Sequence, residues 1–339
     1  MTPAIFGIAG ETLSDDERAF FRASDPVGYI LFGRNCVNPD QLRALTDQLR
    51  SIHGRENTFI SIDQEGGRVA RMRPPHWTDY PAGEAFDRLY QTAPASAIEA
   101  ARVNARAMGA ELLAMGINVD FQAPLDVRRA ETDNVIGDRS LGSDPVQVAA
   151  LGRAVIEGLA EAGVTGCLKH MPGHGRGMAD SHKELPIVEA SAEELQVDIS
   201  PFRSLSHAKI GMSAHIEFTA WDTENPATLS PKVISEIIRG DIGFDGLLLT
   251  DDIDMQALDG TIADRSAKAI AAGCDVVLNC WAKIPDMEAT VEAVPPLTPR
   301  GEERLADALA APTGVIAAEE RPALLAKRDA LLGLKTASA

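Results

Sequence analysis

Short apolar runs alternate along the chain with longer stretches in which apolar residues recur every three or four positions. The runs AIFGIAG (4–10), GYILFG (28–33), TFISID (58–63), INVDFQAPLDV (117–127), VTGCLKH (164–170), IGMSAH (210–215), GLLLTDD (246–252) and CDVVLN (274–279) predict eight strands. Most are aliphatic or β-branched on both faces, as strands covered by helices must be. Between them, residues 40–52, 95–116, 145–163 and 231–240 carry helical periodicity. Ser143-Asp144-Pro145 and Ser230-Pro231 read as helix starts, a capping hydroxyl followed by a proline whose missing N–H costs nothing there. Eight strands with intervening helices predict a single (β/α)8 barrel, an α/β fold whose active site lies at the C-terminal ends of the strands. The alternative, an open doubly wound sheet, lacks its Gly-rich fingerprint after the first strand. No repeat or linker divides the chain, so one catalytic domain is expected over 1–339, with a C-terminal helical tail over about 300–339.

Polar residues collect at the ends of these runs. Asp63-Gln64-Glu65 follow the third, Asp126 the fourth and Lys169-His170 the fifth; His215 closes the sixth and Asp251-Asp252 the seventh. Any one of them could be a solvated loop residue or a cap. In a barrel, however, those ends converge on one face, and their coincidence favours an enzyme.

Composition narrows the class. The chain has 339 residues, 45% hydrophobic and 24% charged, enough apolar content to bury a large core. A net charge of −18 disfavours nucleic acid and anionic membrane as partners. The N-terminal segment lacks the pattern of a secretory signal, and no window approaches 18 consecutive apolar residues. Cys36, Cys167, Cys274 and Cys280 are scattered without C-x-x-C spacing, which suits reduced thiols in a cytoplasm.

The segment KHMPGHGRGMADSHKELP (169–186) holds three of the seven histidines. His170 and His174 have zinc-like spacing, but Pro172, Gly173 and Gly175 break any helix that would align them, so no metal is expected. His170 and His174 read instead as ligand-contacting and loop-shaping residues, and the glycines as places where backbone passes close to a ligand. In Asp180-Ser181-His182 the two outer side chains share one side of an extended segment. The carboxylate can then fix the imidazole tautomer, leaving the other nitrogen to trade a proton with substrate. The natural counterpart is a nucleophile, and the acidic pair closing GFDGLLLTDDIDM (243–255) supplies one; the other acid of the pair serves as a cap.

Taken together, IDQEGGRVAR, GDRS, KHMPGHG…DSH…LP and FDGLLLTDDIDM resemble the signature segments of glycoside hydrolase family 3. The likeness runs in order from about residue 5 to 280 and is closest to single-domain bacterial β-N-acetylglucosaminidases of peptidoglycan recycling. It implies Asp251 as nucleophile, His182 as acid/base and Asp180 as its partner. It further implies sugar binding at Asp63, Arg71, Arg139, Lys169 and His170. Met171 stands where the family usually shows Phe, a conservative change. The implied substrate is a small molecule, a muropeptide carrying N-acetylglucosamine on 1,6-anhydro-N-acetylmuramic acid, handled by a cytoplasmic monomer without cofactor. Two other functions fit the same residues: phosphorolysis by the same family, since a neutral imidazole does not repel phosphate, and a non-catalytic sugar-binding barrel.

Overall fold

The computed structural model describes residues 1–130, 132, 134–179, 181, 184–310 and 320–333. Strands β1 (Thr2–Gly7), β2 (Pro26–Leu31), β3 (Phe59–Ile62), β4 (Val119–Asp120), β5 (Thr165–Met171), β6 (Ile210–Ser213), β7 (Leu247–Asp252) and β8 (Val276–Asn279) form a closed barrel. Every neighbouring pair is parallel, and β8 closes onto β1 through Ile5–Leu278. The sheet therefore closes on itself rather than remaining open, and all eight expected strands take part.

The fourth is far shorter than its apolar run. Pro124 has no N–H to offer a ladder, and beyond Asp120 the segment keeps only isolated bonds, such as Leu125 N–H to the Lys169 carbonyl at 2.7 Å.

Helices α1 (Asp15–Ser24), α2 (Pro39–Ser51), α3 (Gly83–Tyr90), α4 (Pro94–Ala114), α5 (Pro145–Glu161) and α6 (Gln196–Ser204) follow the first five strands. A wide-turned π-helix, Val233–Asp241, then connects β6 to β7, and α7 (Ile262–Ala272) and α8 (Ile284–Ala293) follow the last two strands. The caps depart slightly from the sequence expectation. At α5 it is Asp144, not the Ser143 hydroxyl, that accepts the Val146 and Gln147 N–H groups, at 2.8 and 3.0 Å. Ser230 Oγ does cap its helix, accepting from Val233 N–H at 3.0 Å.

Strand alternation sorts the core into two shells. Ile5, Phe59, Val119, Cys167, Ile210, Leu247, Leu249, Val276 and Leu278 pack together inside the barrel, whereas Ala4, Phe6, Ile60, Ile62, Leu168 and Leu248 pack against the helices. Leu297, Leu305 and Ala308 join the inner shell from below, from α9 (Pro299–Leu309) and the residues before it, and plug the N-terminal end. A last helix, α10 (Arg321–Leu332), lies on α4. With the bottom closed by side chains, the charged inward positions among the described strand residues gather at the top.

Candidate active site

The inward parity set in the core continues past each strand end. On β7 it passes from Leu247 to Leu249 to Asp251; on β5 from Cys167 to Lys169; on β3 from Phe59 through Ser61 to Asp63 and Glu65. These side chains meet over the barrel axis in a cavity of about 330 Å³. Its lining brings together Asp63, Arg71, Arg139, Lys169, His170 and Asp251, six residues drawn from widely separated segments, with His174 and Ser181 beside them. Asp180 and His182 lie outside the described residues.

The floor is a charge network. Lys169, whose side chain is only 2% exposed, places Nζ 3.2 Å from Asp63 and 2.6 Å from Glu65. Arg139 grips Glu65 with two parallel bonds of 2.8 Å, and Arg71 donates to Asp63 at 3.0 Å. The Arg71 guanidinium also lies 5.1 Å from the Phe32 ring centroid. Burial alone would raise the Glu65 carboxyl, but Arg139 and Lys169 outweigh it and hold it well below the usual range. The same Glu65, with Asp63, raises Lys169 against burial, which acts to lower it. Each sugar-binding cation named from sequence is thus already fixed by a carboxylate. Arg71 Nε remains buried without a partner among the described residues, a donor that a ligand oxygen can satisfy.

A second, smaller network orients the histidines. Asp126 Oδ2 stands 2.8 Å from His170 Nδ1, and its Oδ1 accepts the backbone N–H groups of His170 and His174 at 3.2 and 2.6 Å. Burial would raise Asp126, yet these partners leave it lowered. A carboxylate only accepts, so the His170 proton sits on Nδ1 and Nε2 is the nitrogen left for a ligand. His174 is pushed down to about 4 by burial and places Nε2 3.3 Å from Ser181 Oγ. The glycines of this loop are also required by the protein's own packing. A Cβ on Gly175 would strike the Val127 carbonyl and one on Gly173 would press on Asp198, so they let the loop pass against the protein's own backbone.

The acidic pair separates by parity. Asp251 points inward and accepts the Asp252 N–H at 2.8 Å through Oδ1. Asp252 supports the turn, its Oδ1 accepting from Asp254 and Cys280 N–H at 3.1 and 3.2 Å. Burial first, and Asp254 second, raise the Asp252 carboxyl well above its ordinary value. Glu65 and Asp126 stood in the strand-end cluster without an assigned role; the signal for Glu65 was its parity with Asp63.

Among the described residues, no group of three or more His, Cys, Asp or Glu is placed to hold a metal ion. All four cysteines are unbonded, and no described helix is long and apolar enough to cross a membrane.

A closed parallel barrel with inward acids and cations at its C-terminal mouth is the architecture of a barrel enzyme. Residues 12–310 match the model of the glycosyl hydrolase family 3 N-terminal domain, and the chain belongs to that family. It is 35% identical over 344 residues to a β-hexosaminidase of Aromatoleum aromaticum, covering 98% of this chain and 94% of that protein. Its identity to a β-hexosaminidase of Tolumonas auensis is 39% over 286 residues, 83% of each chain. Among solved structures, NagZ from Neisseria gonorrhoeae in complex with N-trifluoroacetyl-D-glucosamine superposes with a TM-score of 0.87 at 31% identity, covering 98% of both chains. The protein is a glycoside hydrolase of the β-N-acetylhexosaminidase type.

Two outcomes follow from the charges. Glu65→Gln leaves Lys169 and Arg139 short of their shared carboxylate, and breaking a buried pair in this way costs about 3–5 kcal/mol. Because Glu65 is depressed in the folded state, its stabilisation is present above the ordinary value of 4.5 and is lost as pH falls through the folded value. Denaturant titrations should show the variant far weaker at pH 7 and the gap narrowing in acid.

Asp252 runs the other way. Its folded pKa is raised, so stability is intact in acid and declines as pH rises through the folded value. The loss begins above the ordinary value of 3.8, so Asp252→Asn, which preserves the accepting oxygen, should flatten the decline from there upward in melting scans; an unchanged slope would show Asp252 ionised in the native protein.

Proposed function

We propose that the enzyme is a retaining exo-β-N-acetylglucosaminidase that releases the terminal non-reducing N-acetylglucosamine from muropeptides during cytoplasmic cell-wall recycling. The observation that carries this reading is the inward parity that sets Asp251 in one cavity with Asp63, Arg71, Arg139, Lys169 and His170. At about 330 Å³ the cavity lies near the small end of the ~300–1,000 Å³ range of ligand sites, suited to a single sugar unit and hence to exo action. The family's relatives are β-hexosaminidases, and the Neisseria structure holds an N-acylated glucosamine.

In this reading Asp63 and the bare Nε2 of His170 accept from sugar hydroxyls, while Arg71 and Lys169 donate to hydroxyls and to the N-acetyl carbonyl. Asp251 attacks the anomeric carbon and forms a glycosyl ester as the C–O bond to the leaving sugar breaks. His182, oriented by Asp180, gives its proton to the departing oxygen. It then takes one from the water that opens the ester and returns Asp251 as carboxylate. Ser181, the residue between them, lines the cavity and is buried, which supports bringing that loop to the sugar. No cofactor enters any step.

The direct test is product analysis on N-acetylglucosaminyl-1,6-anhydro-muropeptides. Free N-acetylglucosamine with initial retention of the β-anomer is expected; sugar 1-phosphate formed in phosphate buffer would make the enzyme a phosphorylase. A fluorinated sugar inactivator should label the peptide GLLLTDD at Asp251. Labelling at Asp252, or near-full activity in Asp251→Ala, would remove the nucleophile assignment.

His182→Ala separates acid catalysis from binding. Poor leaving groups need protonation and should slow by about 10²–10⁴-fold, whereas activated aryl glycosides should lose much less in the first step. Equal losses for both, with affinity falling in parallel, would make His182 a binding residue.

A further inference from the structure

His215 is fully buried, lies outside the sugar cavity's lining and has no part in the steps above. It follows β6 just where that strand stops pairing with β7; the ladder of Ile210, Gly211 and Met212 with Leu247, Leu248 and Leu249 goes no further. On the other side of β7, the ladder to β8 continues past Asp252, with Ile253 N–H donating to the Leu278 carbonyl at 3.0 Å. Toward β6, the Asp252 carbonyl meets a side chain instead of a strand. His215 Nε2 stands 3.0 Å from that oxygen, and Nδ1 stands 2.8 Å from Thr228 Oγ1.

Donor and acceptor roles can be worked out atom by atom. A carbonyl has no proton to give, so Nε2 carries one. Thr228 Oγ1 is also 2.9 Å from the Ala214 carbonyl and 2.8 Å from Ser213 Oγ. It has one proton, which goes either to Nδ1 or to Ala214. A cation in this fully enclosed position would be costly, and burial is the largest influence on the ring, lowering it. Asp251 and the Asp252 carbonyl oppose that shift, while Arg265 and His170 add to it. The ring is therefore neutral and Nδ1 bare. Thr228 gives its proton to Nδ1, and Ser213 gives its own to Thr228. The Ala214 carbonyl keeps the Thr228 backbone N–H at 3.3 Å.

We infer that His215 is a positioning residue for the nucleophile: a one-way relay from Ser213 through Thr228 fixes its Nε2–H tautomer, which holds the Asp252 carbonyl and so the inward presentation of Asp251. The imidazole takes the place of the strand N–H that β6 no longer supplies. Neutrality matters too, because a fixed cation beside Asp251 would stabilise its carboxylate and blunt its attack. The inference rests on the nucleophile reading of Asp251.

The test combines kinetics with nitrogen NMR on the full chain. His215→Leu should lower kcat by about 10–100-fold, the scale for losing an outer-shell partner, with KM nearly unchanged. His215→Gln can place an amide donor near the Nε2 position and should recover most of that loss. Thr228→Val should give a smaller fall in kcat that Thr228→Ser reverses. In ¹⁵N-histidine-labelled wild-type protein at pH 7, the His215 resonances should show protonated Nε2 and bare Nδ1. A doubly protonated ring or an Nδ1–H tautomer would overturn the relay, and wild-type kcat in His215→Leu would overturn the positioning role. If His215→Leu does not fold, the Gln and Thr228 variants and the wild-type spectrum still decide. Activity surviving in Asp251→Ala would instead mark failure of the nucleophile reading, and the spectrum reads the relay independently of that result.

Discussion

Glu65 is the group around which the mouth of the barrel is arranged. Its side chain is 4% exposed, and a carboxylate so enclosed is tolerable only with cations against it. Arg139 supplies a bidentate fork and Lys169 a point charge, and the two differ in what they can do next. The guanidinium is planar and committed along one edge. The ammonium has three donors, and one of its further partners is Asp63 on the ligand side of the network. Asp63 in turn holds Arg71. Three cations face two carboxylates, which leaves the cluster one unit positive before Asp251 is counted.

In a chain of net charge −18 this cluster is a local concentration of positive charge. A sugar is neutral, and its hydroxyls are recognised by groups that are already oriented. Ion pairing freezes Arg71, Arg139 and Lys169 at the surface of the cavity before any ligand arrives, so less ordering remains for binding to achieve. In the proposed reading salt bridging also serves sugar binding, because the pairing is what makes the cations rigid donors.

The barrel was legible in the sequence because each parallel strand is buried on both faces and so appears as an apolar run. The candidate site was legible as well, because inward parity carries past each strand end into polar residues. Where the reading slipped, chemistry beyond periodicity was responsible. The run 117–127 looked like one strand, but its ladder stops at Asp120 and only isolated bonds continue past it. Ser143 looked like a cap by residue type, yet Asp144 stands one place closer to α5. The glycines at 173 and 175 have a second role that no local pattern reveals, close packing on Asp198 and on the Val127 carbonyl. Glu65 stayed without a role because its partner Arg139 lies more than seventy positions away, on a 3-10 turn, Gly137–Arg139, that exists only in the folded chain.

Histidine shows most clearly how environment divides work among identical side chains. His174 is held near 4 by burial and is neutral near pH 7, so it has no proton to give a leaving group. His215 is enclosed and neutral, with both nitrogens occupied by Thr228 and Asp252. His170 lines the cavity, but its Nδ1 is committed to Asp126, and its neighbour Lys169 is locked into the floor. A general acid for a glycoside must keep a proton near neutral pH and surrender it only when the leaving oxygen is in reach. His174 and His215 meet the solvent-excluding conditions that lower a histidine's pKa before substrate arrives. In the reading proposed above the proton chemistry falls instead to Asp180 and His182, since neither His174 nor His215 keeps a proton to give near neutral pH.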